Sequence, residues 1–243
     1  MLKISPYYRW KYYFDFFLAV LLIIPAVLIT AVAVFFVKLT SRGPCLYSHI
    51  RLGLDGRPFT IYKIRTMRAE AEAATGPVWT ARDDKRITAV GKILRKTHID
   101  DLPQFYNVLR GDMSLTGPRP ERPEFVKILE KRIDRYGYRL FVKPGITGLA
   151  QLNLEPDTDL NDVRRKLVLD FEYMEKCSFR LDLRLLLCSA INILCPGSRS
   201  LVKFFRLTRR SAESPWAASL LPNNAVSSNE EERLSQILIK RAI

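Results

Sequence analysis

Two neighbouring carboxylates, Asp100 and Asp101, lie between two arginines, Arg95 and Arg119, in a stretch punctuated by Pro103, Gly111, Gly117, Pro118 and Pro120. A guanidinium presents a planar fork of donors matched to phosphate oxygens. One arginine is ordinarily a solvated charge, and an acidic pair at a helix start is ordinarily a cap. Two arginines in a backbone-constrained frame beside adjacent carboxylates point instead to a phosphate-handling site. Successive helical residues point about 100° apart, so Asp100 and Asp101 do not converge as a proton-sharing dyad and suit two separate jobs. A helix start favours the ionised carboxylate, which keeps an aspartate there anionic and nucleophilic.

Weaker candidates surround this pair. Lys63 and Arg65 read as substrate-phosphate or interfacial cations. His98 has the chemistry of a general base, but an attacking ionised carboxylate needs none, so a polar residue at a helix approach is the plainer reading. Asp112 follows Gly111 and reads as a turn residue before it reads as a second metal ligand. Asp182 suits a structural salt bridge as well as a site role. It receives no catalytic assignment.

The elements that must position these groups are legible as short runs. Tyr47 to Arg51 and Pro58 to Lys63 predict two strands joined by the turn Gly53-Leu54-Asp55-Gly56. Ile87 to Lys96 predicts a helix, and Asp101-Leu102-Pro103 starts another that ends near Gly111. Glu124 to Arg135, Val163 to Glu175 and Leu183 to Leu194 are helical in pattern. Thr75 to Arg82 and the Pro-Gly-rich Val142 to Gln151 read as loops. Residues 199 to 210 mix Lys203, Arg206, Arg209 and Arg210 with Phe204 and Phe205, a composition suited to anionic headgroups. Residues 211 to 229 read as a linker before a short terminal helix from Glu230 to Ile243.

Ahead of these elements, Phe16 to Val37 carries no charge and is long enough to cross a hydrocarbon core of about 30 Å. A single crossing is the plain reading. However, Pro25 inside the run deletes a backbone donor, and Lys3, Arg9 and Lys11 before it are matched by Lys38, Arg42 and Arg51 after it. A helix that enters, breaks at Pro25 and returns to the same face satisfies both observations.

The net charge of +14, from 39 Lys and Arg against 25 Asp and Glu, implies an anionic partner: nucleic acid, an anionic bilayer or a phosphorylated substrate. No nucleic-acid-binding motif is visible. Cys45, Cys177, Cys188 and Cys195 form no C-x-x-C pair, and with only His49 and His98 beside them a zinc site or disulfide framework is not expected. Cys188 and Cys195 read as small buried hydrophobes.

The run Leu94-Arg95 to Asp100-Asp101-Leu102-Pro103-Gln104, followed by Gly111-Asp112-Met113-Ser114-Leu115-Thr116-Gly117-Pro118-Arg119-Pro120, resembles the signature of the bacterial sugar transferases, the polyprenyl-phosphate hexose-1-phosphate transferases. Asp101 stands where that family usually has Glu, and Thr116 where it usually has Val. The run Tyr62-Lys63-Ile64-Arg65-Thr66-Met67 and the run Lys143-Pro144-Gly145-Ile146-Thr147-Gly148-Leu149-Ala150-Gln151 extend the resemblance, which covers about Tyr12 to Leu194.

The resemblance implies an α/β fold: a mostly helical, compact cytosolic domain with a small β-hairpin, anchored by an N-terminal re-entrant helix-break-helix. The expected division is residues 1–40 as membrane segment, 41–198 as catalytic domain and 199–243 as a basic, polar extension. It implies transfer of a sugar-1-phosphate from a UDP-sugar to undecaprenyl phosphate at the cytoplasmic face of the bacterial inner membrane, with release of UMP. In that scheme Asp100 is the nucleophile, Asp101 holds Mg²⁺ or Mn²⁺, and Arg95, Arg119, Lys63 and Arg65 bind substrate phosphate. A membrane-anchored nucleic-acid binder and a non-catalytic polysaccharide-export scaffold are the competing readings, and neither requires Asp100.

Overall fold

The computed structural model describes residues 2–69, 71, 84–155, 157, 159–194 and 199–221. Thr75 to Arg82, Cys195 and Glu230 to Ile243 lie outside them. The chain opens with α1 (Tyr8–Thr40), then forms the antiparallel hairpin β1 (Leu46–Leu52) and β2 (Pro58–Ile64). α2 (Ala89–Thr97), a 3-10 segment (Ile99–Gln104) and α3 (Phe105–Arg110) follow. β3 (Ser114–Thr116), α4 (Pro123–Leu129), β4 (Gly145–Thr147) and α5 (Leu149–Asn153) lead to the long pair α6 (Leu160–Lys176) and α7 (Phe179–Leu194). α8 (Arg199–Phe204) and α9 (Ala217–Leu220) close the described chain.

The expected hairpin is present, and the protein is otherwise mostly helical. The second strand pair differs from the expectation: the Pro-Gly run is not all loop, because β4 pairs in parallel with β3 and α5 follows at once. Two Gly-Pro-rich motifs far apart in sequence thereby press together. A Cβ on Gly145 would sit 2.0 Å from Gly117 N, so only glycine allows the approach. The helix expected over Glu124 to Arg135 stops at Leu129; Arg135 then takes a left-handed φ of 59° that a helix cannot continue through.

α1 also departs from expectation. It is one helix with Pro25 inside it, not two helices separated by a break. Proline removes a single intrahelical hydrogen bond, and neighbouring bonds carry the helix past it. The buried residues Lys11, Asp15, Ala19, Ala26, Ala33 and Val37 recur every four or seven positions and so form one stripe. Ala19 packs with Phe59, Ile61, Val108, Met113 and Leu115, while Ala33 and Val37 pack with Ile64 and Leu94. Both halves of α1 therefore rest on the same body. Its other faces expose Phe17, Leu21, Ile24, Leu28 and Val32, a far larger apolar surface than a water-soluble protein ordinarily leaves open. The helix is long and apolar enough to cross a membrane.

A buried polar network ties the first turns of α1 to the body. Lys11 Nζ lies 2.6 Å from both Asp182 Oδ2 and Thr116 Oγ1, Ser114 Oγ donates to Asp15 at 2.5 Å, and Tyr173 OH donates to Asp182 at 2.7 Å. Asp182 is thus a structural anchor between α1, β3, α6 and α7. Residues 211 to 221, expected as linker, instead pack: Trp216 and Leu220 join Phe125, Val163, Leu167 and Phe171 in the main core, and Trp216 Nε1 donates to Glu175 at 3.0 Å. Leu207 is buried with Tyr173, Cys177, Leu185 and Cys188, so the chain after 198 continues the domain through residue 221.

Candidate active site

The site begins where α2 touches the end of β2. A Cβ on Gly91 would meet Thr66 O at 2.0 Å, so glycine there lets the helix close on the strand. That approach, fixed by the Thr88 cap on Gly91 N at 2.9 Å, brings Arg95 Nε within 2.8 Å of Thr66 Oγ1. His98 then reverses the chain with a left-handed φ of 57°, and its carbonyl accepts from Asp101 N at 3.2 Å. Asp100 and Asp101 follow in the 3-10 segment, both buried.

The two carboxylates meet different surroundings. Lys63 Nζ, from β2, lies 2.6 Å from Asp101 Oδ1, Gln104 Nε2 donates to the same oxygen, and Arg119 Nη1 stands 3.7 Å from Oδ2. Among the described residues nothing hydrogen-bonds or ion-pairs with Asp100. Neither carboxylate is spent on a helix cap. Burial, reinforced by the Asp101 charge, pushes Asp100 up to about 7 against the pull of Lys63, Arg95 and Arg119. Burial also acts to raise Asp101, but Lys63 and Arg119 outweigh it and hold Asp101 well below the usual carboxylate range. Near neutral pH the site holds one fixed anion and one carboxylate poised at its titration point.

The segment carrying Arg119 is pinned from behind. Arg139 Nη2 donates to Arg119 O at 2.9 Å, Arg51 Nη1 to Pro120 O at 2.8 Å, and Leu52 N to Glu121 O at 3.0 Å. Glu121 is held by Lys166 at 2.7 Å. The backbone is fixed while the guanidinium of Arg119 remains 38% exposed, so it can meet an incoming anion. This arrangement of a free carboxylate, a paired carboxylate and three cations can hold a phosphate and attack it.

The profile of the bacterial sugar transferases matches residues 6–195. The chain belongs to that family. A UDP-N-acetylgalactosamine-undecaprenyl-phosphate N-acetylgalactosaminephosphotransferase of Aeromonas hydrophila is 44% identical over 165 residues, 68% of this chain and 38% of that protein. A UDP-glucose:undecaprenyl-phosphate glucose-1-phosphate transferase of Xanthomonas campestris pv. campestris is 39% identical over 160 residues, 65% of this chain and 33% of that protein. One of the same name from Caulobacter vibrioides is 41% identical over 174 residues, 70% of this chain and 63% of that protein. The chain spans less than two thirds of the length of each of these relatives.

Within this bacterial sugar transferase the expected site residues separate into two groups. Lys63, Arg95, Asp100, Asp101 and Arg119 come together. Arg65 does not join them: its Nη2 donates to Ser41 O at 3.0 Å and Ser41 Oγ at 2.7 Å, at the end of α1. Asp112 pairs with Arg110 and Asn107 in the turn after α3, as the turn reading expects. His98 contributes its backbone to the turn, and burial lowers the pKa of its imidazole.

Two contributors were given no role from the sequence. Gln104 lies one helical turn after Asp101, a spacing that signals contact; Thr66, which steers Arg95, gives no such signal because the two meet only through the fold.

Magnesium or manganese fits this donor set in one way. Among the described residues no three His, Cys, Asp or Glu side chains cluster, so a protein-built cage is not available. Mg²⁺ is commonly held by one or two carboxylates together with substrate phosphates and water. The ionised Asp101 has the donor chemistry for that mode, but its Oδ1 is taken by the Lys63 ammonium, which a metal ion would have to displace.

Proposed function

We propose that the protein transfers a sugar-1-phosphate from a UDP-sugar to a polyprenyl phosphate, so starting a glycan on a lipid carrier. The observation that carries this reading is the Asp100 carboxylate, buried and unpartnered beside Lys63, Arg95 and Arg119 while its neighbour Asp101 is fully engaged. The carboxylate oxygen of Asp100 attacks the phosphorus next to the sugar, and the bond from that phosphorus to the bridging oxygen breaks. UMP leaves with the electron pair. The resulting acyl phosphate is then attacked by a phosphate oxygen of the lipid carrier, which takes the phospho-sugar and returns Asp100 as a carboxylate. Lys63, Arg95 and Arg119 orient the phosphates and offset the charge that builds on them. A divalent cation held by Asp101 would neutralise the diphosphate further.

The membrane placement supports this chemistry. Ala19 near one end of the apolar run and Ala33 and Val37 near the other are all seated on the same body. An unbroken helix seated at both ends on one body lies against one face of the bilayer, with its exposed apolar faces dipped into it, rather than crossing it. The catalytic residues then sit at the cytoplasmic interface, where a lipid phosphate is reached without extraction. Transfer of labelled sugar from a panel of UDP-sugars into undecaprenyl phosphate tests the reading and identifies the sugar. Transfer should be lost on chelation and retained in Asp101→Glu, whose longer carboxylate is the family's usual residue. No transfer from any UDP-sugar, or full activity in EDTA, would refute the corresponding assignment.

A further inference from the structure

The outer wall of the site holds a hydrogen-bond donor that the catalytic account does not use. In the hairpin Tyr47 pairs with Lys63, His49 with Ile61 and Arg51 with Phe59, so Tyr47, His49 and Arg51 share the face from which Lys63 reaches Asp101. Arg51 Nε donates to His49 Nε2 at 2.6 Å. A guanidinium cannot accept, so Nε2 carries the lone pair and the ring proton resides on Nδ1. That Nδ1 is buried and has no hydrogen-bond partner.

Cations dominate the surroundings of the ring. The charges acting most on it are Arg51 from its own strand, Arg122 from the start of α4, Lys63 from β2 and Arg119 from the pinned segment. After burial, these hold the ring neutral. Tyr47 lies beside it with ring centroids 5.0 Å apart and accepts from Arg122 Nη2 at 2.9 Å. Lys63 and Arg119 are shared with Asp101, so the row adjoins the reacting phosphate.

We propose that Tyr47, His49 and Arg122 form the subsite for the departing nucleoside monophosphate, with His49 donating its Nδ1–H to an acceptor oxygen of that nucleotide. The assignment rests on the transferase reading. A neutral donor among cations selects an oxygen-rich anion, and the row's adjacency to the reacting phosphate matches the half of the substrate that leaves. The simpler alternative makes His49 only an acceptor that braces Arg51.

Calorimetric binding of UMP and of pyrophosphate to the full chain, wild type and two variants, separates these. His49→Gln keeps both an acceptor for Arg51 and a donor; His49→Met keeps at most a weak acceptor. UMP should bind wild type and His49→Gln alike and His49→Met about 10-fold more weakly, with pyrophosphate binding unchanged. Unchanged UMP affinity in His49→Met, or equal loss for UMP and pyrophosphate, would overturn the assignment, since loss of the Arg51 brace would disturb the phosphate site as a whole. UMP binding that depends on His49 in a protein that transfers no sugar would uphold the subsite and defeat the transferase reading instead.

Discussion

Lys63, Gln104 and Arg119 all turn to Asp101 and leave Asp100 uncommitted, which gives the two carboxylates different surroundings. In the proposed mechanism Asp100, raised to about 7 by burial and by Asp101, must lose its proton before it can attack. The rate at limiting UDP-sugar should therefore rise with pH at about unit slope and level off above about 7. Lys63→Met, which removes a cation that favours the ionised form, should move that limb to higher pH. A rate independent of pH from about 5.5 to 8 would contradict this.

The same shift has a sign for stability. A carboxyl whose folded pKa exceeds its unfolded value costs stability as pH rises between the two, so Asp100→Asn should stabilise the protein near pH 8 by on the order of 4 kcal/mol. The carboxylate pair and its arginines were legible in the sequence because residue type and backbone-fixing neighbours coincide. Which cations meet which carboxylate was not, because Lys63 arrives from a distant strand and Arg65, two residues on, turns away to Ser41.

At the scale of elements, the hairpin was readable because its turn signals lie between two short runs of β-type residues, and its register carries Lys63 to Asp101. β3 and β4 were not, since three-residue strands have no periodicity and form only when two distant motifs meet. α1 was readable as apolar, while its continuity through Pro25 was not, because packing of both halves on the body decides it. Cysteine labelling at residues 2 and 60 in intact cells, with native cysteines replaced, should place both on the cytoplasmic side. Pro25→Ala should leave that pattern intact, because Ala19 and Val37 remain seated. External labelling at residue 2 would contradict the same-side placement.

At the scale of the whole molecule, the chain carries a net charge of +14, and buried cations gather around the site and along Glu121, where Arg51, Arg139 and Lys166 converge. The chain after residue 198 looked like an appendage because its composition is polar and small, but one aromatic, Trp216, ties it to the core edge-to-face with Phe171 at 5.2 Å. Trp216→Ala should lower stability by about 3 kcal/mol, read as a fall in the denaturant midpoint. An unchanged midpoint would show that the segment is peripheral. The central claim is that Asp100 carries the phospho-sugar, and mass spectrometry of the protein incubated with its UDP-sugar and no lipid acceptor tests it directly. The account predicts an adduct of one sugar-phosphate on the peptide containing Asp100, absent in Asp100→Asn and discharged by undecaprenyl phosphate. An unmodified Asp100 in an enzyme that transfers sugar, or transfer by Asp100→Asn near the wild-type rate, would contradict it.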